Sequence, residues 1–272
     1  MAARARAHAT LIAARRHRAA CDLGKWKPMC DTPFEKLKDW KGWIDVPGPA
    51  PFTGQGPWID ISFQLNATRT RSPGFPEPRF EKLMTIPEHP ANLTEMQMVC
   101  HFGTHLDAPL HFITEGPAMD AVPLDRLYGQ GVVLKVAAGD DMLVTAAHLE
   151  KASPAVEPGD IVIIDTGWTG FMDSDRYFDH PALSLDAAEW LVDKRAKLVA
   201  VDLLTPDMPS IKRPEGFTWP VHHELLGQGV LIAELVRVAP ELCGRRIEAM
   251  FVGLNIEGSD GAPVRALART VD

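Results

Sequence analysis

Residues 160–167 read "DIVIIDTG": four consecutive β-branched residues, Ile161 to Ile164, held between Pro158-Gly159 and Thr166-Gly167. Such a run between turn signals is a strand buried on at least one face, because branched side chains fit a pleated surface while glycine and proline end it. The same text recurs on both sides of it as "GVVLKVAA" (131–138), "KLVAVDLL" (197–204), "GVLIAEL" (229–235) and "RIEAMFVGLNI" (246–256), and "WIDISFQL" (58–65) alternates like a strand. Two helices lie between, "TAAHLEKA" from Thr145 and "SLDAAEWLVDKRAK" from Ser184; in the second, Asp186 and Glu189 have capping-box spacing and Leu191 and Val192 form the apolar face. There is no internal repeat and no low-complexity linker. The reading is one mixed-sheet domain of the α/β or α+β class over residues 57–272, preceded by an N-terminal arm over residues 1–56, with the strand order not legible.

Composition narrows the partners. A chain of 272 residues, 46% hydrophobic and 24% charged, buries a sizeable core. A net charge of −8 argues against nucleic acid or an anionic membrane surface, which are held by clustered Lys and Arg, and leaves a small molecule as the expected partner. Cys21, Cys30, Cys100 and Cys243 form no CxxC pair and read as reduced thiols of a cytosolic-type compartment. No apolar run reaches the roughly 18 residues that cross a bilayer. The start, "MAARARAHATLIAARRHRAACD", has no acid before Asp22, the composition of an organellar presequence; a basic surface helix packed on the body or on a second subunit is the preferred reading, with a cytoplasmic location. Residues 25–56 read as an irregular arm with a short helix around Phe34 to Trp40, and "TRTRSPGFPEPRF" (68–80) as a Pro and Gly loop of the kind that covers sites.

The chemistry concentrates in "VCHFGTHLDAPLHF" (99–112), where His101, His105, Asp107 and His111 stand in an otherwise apolar or turn-forming segment. Imidazole and carboxylate are ligands of a divalent transition ion such as zinc or manganese. A helical turn over 104–107 at the end of a strand would let both imidazoles converge while Asp107 approaches from the side. The zincin motif HExxH is excluded, because Phe102, Gly103 and Thr104 separate the two histidines; HxHxDH is excluded by Gly103 and Ala108. Hydrogen bonding in a core or loop is the default for a lone histidine, and it covers His8, His17, His89, His148 and His180. A second group lies in "PVHHELLGQGVLIAEL" (220–235), where Glu234 sits in an apolar strand, an expensive place for a carboxylate without a cation, twelve residues after His222. His223 and Glu224 read as a solvated helix face, and Cys100 as a small buried hydrophobe.

"HFGTHLDAPLHF" resembles the HxGTHxDxPxHF signature of the cyclase family of metal-dependent hydrolases, which includes bacterial kynurenine formamidases and isatin hydrolases. The resemblance continues through "GDIVIIDTGW" (159–168), "VAVDLLTPD" (199–207), the His222 and Glu234 pair and "GSDGAPVRALA" (258–268), and covers roughly residues 58–272. It implies a swivelling β/β/α fold assembled as a homodimer or homotetramer. It implies His101, His105 and Asp107 as ligands of one zinc or manganese ion, His222 and Glu234 as ligands of a second ion, and His111 as the residue that moves the proton during attack of activated water on an amide. Gly103 and Thr104 are assigned to shaping the turn. The implied substrates are small cyclic amides or aryl formamides. Trp219 is the preferred aromatic wall, with Phe102 and Trp58 as further substrate-binding candidates and Phe75 and Trp168 more remote ones. A lactonase or lyase on the same site, and a non-catalytic metal-binding oligomer, are the competing functions.

Overall fold

The computed structural model describes residues 39–138 and 142–271. The expected basic helix at the start of the chain lies outside them, as do residues 34–38 of the expected helix around Phe34; Asp39 and Trp40 have no regular structure.

The strands in chain order are β1 (Ile59–Asp60), β2 (Arg79–Met84), β3 (Leu93–Gln97), β4 (His105–Asp107), β5 (Tyr128–Lys135), β6 (Leu143–Val144), β7 (Ile161–Asp165), β8 (Ala182–Leu183), β9 (Leu198–Val201), β10 (Leu231–Glu234), β11 (Arg246–Gly253) and β12 (Gly261–Thr270). Eight of them form one sheet in the order β1-β12-β11-β5-β7-β9-β10-β4, and β12 also pairs with β4, so the sheet closes into a barrel. Within this sheet β5, β7, β9 and β10 are parallel and the remaining pairings antiparallel, while β6 and β8 pair in parallel apart from it. Closure depends on the ten-residue length of β12, whose first residues pair with β4 and whose later residues pair with β1. Strands β2 and β3 form a separate, exposed hairpin.

The continuous apolar runs follow from burial on both faces. Ile161 and Ile163 point inward with Val133, Leu198, Ala200, Leu231 and Ala233, while Val162 and Ile164 point outward with Val132, Leu134, Val199 and Val201. Alanines (Ala200, Ala233, Ala249, Ala262, Ala266, Ala268) recur on the inner side, where side chains from all round the ring must share one narrow interior. Helices α1 (Ala146–Lys151), α2 (Leu185–Asp193) and α3 (Pro220–Gly227) lie outside; Ala187, Ala188 and Leu191 of α2 and Val221, Leu225 and Leu226 of α3 join the outer cluster.

Part of the arm is pinned to this body. Lys41 N donates to Gly227 O at 3.1 Å, Arg126 donates to Ile44 O at 2.6 Å, and Trp40 meets Trp43 edge to face. Farther along, the fully buried Glu248 of β11 accepts from Thr53 N, from Gly54 N at 3.0 Å and from Arg269 Nε at 2.8 Å.

Three local expectations change. The strand expected over 58–65 stops at Asp60, because the Asp60 carboxylate takes Ser62 N and the Thr104 hydroxyl takes Phe63 N, removing both amides from the ladder. In α2 the cap is Ser184, and Asp186 reaches instead to Ala146 N at 3.1 Å; the box geometry occurs in α1, where Thr145 N donates to His148 Nδ1. The regions 79–97 and 261–270 carry strands that sequence periodicity did not expose, since charged residues interrupt the first and Pro263, Arg265 and Arg269 mask the alternation of the second.

Removing the Glu248 carboxylate leaves Arg269 and two backbone amides without an acceptor. Glu248→Ala is expected to lower the unfolding free energy by about 3 kcal/mol in urea titrations, against less than about 0.5 kcal/mol for Val252→Ala on the exposed side of the same strand. Equal midpoints for the two variants would contradict the anchoring role.

Candidate active site

The segment 104–107 is a strand rather than a helical turn, and that difference builds the site. Strand β4 is paired on both sides, His105 lying opposite Glu234 of β10 and Pro263 of β12, and Asp107 opposite Ile232 and Gly261. Alternation along the strand sends Leu106 into the barrel and puts His105 and Asp107 together on the outer face, where residues directly opposite share a side. His101 comes to them from the preceding turn, in which Gly103 holds φ +67 and a Cβ would collide with Leu65. Gly261 is equally constrained: a Cβ there would stand 2.6 Å from the His101 ring and 2.6 Å from Leu106 O. Thr104 ties this turn to the neighbouring strand end, donating to Leu235 O at 2.5 Å. Leu235 sits at φ +56, a conformation unusual for a branched residue, directly after Glu234.

Helix α3 supplies the fourth side. Its N-terminal amides Val221 N and His222 N donate to the carboxylate of Asp207 at 3.1 and 3.0 Å, and His222 Nδ1 lies 2.6 Å from the same group. Asp207 thus satisfies orphan helix amides and orients the imidazole at once. With Nδ1 engaged, His222 Nε2 faces Asp107 at 3.6 Å and Glu234 at 3.3 Å. His105 repeats the arrangement: Nδ1 lies 2.7 Å from Gly103 O, and Nε2 faces Asp107 and Glu234, each at 3.4 Å.

Both Nε2 atoms therefore present lone pairs to carboxylate oxygens, acceptor against acceptor. His105 Nε2 and Asp107 Oδ2 are buried with no hydrogen-bond partner. Such a set needs protons or a cation between its members. Protons alone show the strength of the demand: burial opposes charging His105, yet Asp107 and Glu234 raise its pKa to about 10, and Asp107 and Asp207 hold His222 well above the imidazole range. Burial pushes Asp107 up, and the facing imidazoles of His101, His105 and His222 outweigh it and hold the carboxyl well below its ordinary range. A divalent ion supplies the same positive charge. His101, His105 and Asp107 bring one ligand atom each within 4.8 Å of one another, and imidazole with carboxylate is a donor set that suits zinc or manganese, so the residues fit a metal.

His101 and His111 form the open edge. Their rings stack with centroids 3.9 Å apart; His101 Nδ1 is 2.8 Å from Asp107 and its Nε2 3.0 Å from Asp260, which also lies 3.4 Å from His111 Nδ1. Burial and then the neighbouring His101 charge hold the His111 pKa below its ordinary value. His111 rides a 3-10 turn, Pro109–His111, and its side chain is 25% exposed, against 2% for His105 and 4% for His222.

Of the aromatic candidates, Trp219 lies beside the site: its ring is 6.1 Å from Phe112, which in turn is 4.3 Å from His222 and 4.6 Å from His111. Trp58 does not. It precedes Ile59, the partner of Ala268, five residues and about 17 Å along β12 from the partner of His105, and it packs against Phe52 and Arg269. Phe102 is 1% exposed and has no surface to offer a ligand. Trp168 is core, donating to Tyr177 O. His223 and Glu224 are half-buried rather than solvated, with His223 edge-on to Phe112. Cys100 is half-buried and accepts from the Ser259 hydroxyl at 3.3 Å. His180 is a deeper exception to the satisfied-histidine reading: fully buried, it uses Nδ1 on Pro181 O while Nε2 has no partner, and burial pushes its pKa to about 4. Sequence reasoning missed Asp207, Phe112 and Asp260 as members of the site. All three lie inside stretches that carry the resemblance, but only the folded contacts give them roles.

A family model described as putative cyclase matches residues 59–208. The kynurenine formamidase of Salinibacter ruber is 31% identical over 217 residues, covering 78% of this chain and 96% of the relative. A solved structure described as a potential metal-dependent hydrolase with cyclase activity superposes with a TM-score of 0.61 at 27% identity, over 78% of this chain and 96% of the other. An isatin hydrolase bound to the product analogue thioisatinate shares the fold, with a TM-score of 0.67 at 20% identity over 78% and 91% of the two chains.

Because Asp207 sets the tautomer of His222 without facing the carboxylate pair, Asp207→Asn is expected to weaken affinity for added zinc about 10- to 100-fold while the fold persists. Competition against a chromophoric chelator measures this, and unchanged affinity would separate Asp207 from metal binding.

Proposed function

The chain belongs to the cyclase family, and from that premise we propose that it is a metal-dependent hydrolase of a small non-peptide C–N bond, in an aryl formamide or a cyclic amide. The observation that carries the reading is the convergence of His105 Nε2 and His222 Nε2 on the buried carboxylates of Asp107 and Glu234. His101, His105 and Asp107 would hold one zinc or manganese ion, and His222 and Glu234, with Asp107 between, a second. An ion bound there supplies Lewis-acid polarisation of a carbonyl and acidification of water near neutral pH.

The protein's own groups do the rest. Gly103 O and Asp207 hold His105 and His222 in the tautomer that leaves Nε2 free. His111 is the accessible imidazole of the group, and its stacking on His101 keeps it within the cluster while it remains open to substrate, the position required to take a proton and return it to the leaving nitrogen. Phe112 and Trp219 exclude water beside His222. A homodimer or homotetramer belongs to the same reading: the β2–β3 hairpin exposes Leu93 and Met96, and a lone two-stranded hairpin is marginal in water without a partner.

Metal-loaded protein is expected to hydrolyse an aryl formamide or isatin in preference to a panel of small lactones, and to lose activity on chelation and regain it with zinc or manganese. His111→Ala is expected to retain its metal by elemental analysis while kcat falls about 10²- to 10⁴-fold. Turnover of lactones alone would move the assignment to the competing esterase-type reaction. Metal without turnover of any of these substrates would leave a binding protein.

A further inference from the structure

The stacked pair at the open edge of the site meets a carboxylate to which no role has been given. Asp260 stands one residue before β12, where Gly261 pairs with Asp107, and its side chain is 47% exposed. Its Oδ2 lies 3.0 Å from His101 Nε2 and 3.4 Å from His111 Nδ1. The two rings have their centroids 3.9 Å apart and their planes 22° from parallel, so one oxygen faces an edge nitrogen of each. Among the described residues, His111 forms no ion pair with any other carboxylate.

The backbone of the same residue is fixed. Asp260 O accepts from Ala108 N at 2.9 Å, and Ala108 is the residue from which the 3-10 turn Pro109–His111 starts. Just ahead of it, Gly258 N donates to Asp120 at 3.2 Å, Ser259 O accepts from Met119 N at 2.8 Å, and the Ser259 hydroxyl donates to Gly261 O at 2.6 Å. The carboxylate thus projects from an anchored loop that is tied by main chain to the turn carrying His111 and by side chain to the two rings. Its effect on them follows from their proton inventory. A neutral imidazole has one N–H and one lone pair, and the partner of the N–H decides which nitrogen is left as acceptor. A carboxylate has no proton to give, so each ring turns an N–H toward Asp260. His101 then keeps the lone pair on Nδ1, the nitrogen that lies 2.8 Å from Asp107 and faces the buried cluster. His111 keeps its lone pair on Nε2, the form that a proton-accepting imidazole needs.

We propose that Asp260 is a positioning residue of this site: one carboxylate sets the tautomers of His101 and His111 together and holds the stacked pair, so that His101 turns Nδ1 to the buried cluster and His111 keeps Nε2 as the proton acceptor. The proposal rests on the hydrolase reading for what His111 does, but not for how the two rings are held.

Nitrogen chemical shifts of the full-length protein labelled with ¹⁵N-histidine, recorded with zinc and without, report the ring tautomers directly, the His111 signals being those lost in His111→Ala. Wild-type His111 is expected as the Nδ1–H form. In Asp260→Ala, which removes no backbone bond, it should relax to the tautomer mixture of an unpartnered imidazole, and Asp260→Glu should restore part of the wild-type signal because it keeps the carboxylate. At saturating zinc with an aryl formamide, Asp260→Ala is expected to lower kcat about 10- to 100-fold with KM within about twofold of wild type, and Asp260→Glu to recover part of the loss. Asp120→Ala loosens the same loop through Gly258 without facing a histidine, and it should leave tautomer and kcat at their wild-type values. An unchanged His111 tautomer in Asp260→Ala would overturn the proposal, as would a wild-type kcat in that variant. Loss of one zinc equivalent in Asp260→Ala would overturn it too: His101, His111 and Asp260 are close enough together to hold an ion, and Asp260 would then be a ligand. If no amide is turned over while the His111 tautomer still depends on Asp260, the positioning role stands and the hydrolase reading falls.

Discussion

The double pairing of β4 is the constraint on which the rest depends. Three residues, His105 to Asp107, are hydrogen-bonded to β10 on one side and β12 on the other, and this contact turns an open sheet into a closed one. A strand locked on both edges cannot slip, and a slip of one residue would exchange Leu106 with the two polar side chains. The pairing that closes the barrel therefore also decides that His105 meets Glu234 and that Asp107 lies between His101 and His222.

Placing this group outside the barrel, beneath α3, separates two requirements. The interior is filled with alanine and branched residues and is stabilised by burial alone. The outer face carries the facing imidazoles and carboxylates, where burial makes each electrostatic interaction strong and an unpaired polar group expensive. Asp207 shows how the surroundings limit that cost: one carboxylate satisfies the first amides of α3 and holds His222 with the nitrogen that matters turned toward Asp107 and Glu234. At the rim, Asp260 joins His101 and His111, and its pKa is depressed by those hydrogen bonds, so negative charge borders the histidines toward solvent as well.

Much of the fold was legible because it depends on local text. The runs at 131–138, 160–167, 197–204, 229–235 and 246–256 all contain strands, since β-branched residues buried on both sides leave no other economical conformation. The strands at 79–84, 93–97 and 261–270 were hidden because their neighbours, not their composition, select them; β12 alternates small and charged residues that look like a tail until β11 and β4 flank it. The aromatic candidates divided for the same reason. Trp58 and Phe102 are near the cluster in sequence or in motif, and one lies at the far end of a strand while the other is sealed in the core.

By itself the sequence determined the chemical inventory: which imidazoles and carboxylates exist, which short runs become strands, and which family signature they spell. That is possible because residue type and short-range spacing control ligand chemistry and local conformation. The tertiary structure alone decided which of those groups face one another and that Asp207 rather than a nearer acid orients His222. Those relations depend on barrel closure and on the docking of α3, which bring together residues more than a hundred positions apart, such as His105 and Glu234. Contacts across that separation leave no periodic trace in the chain.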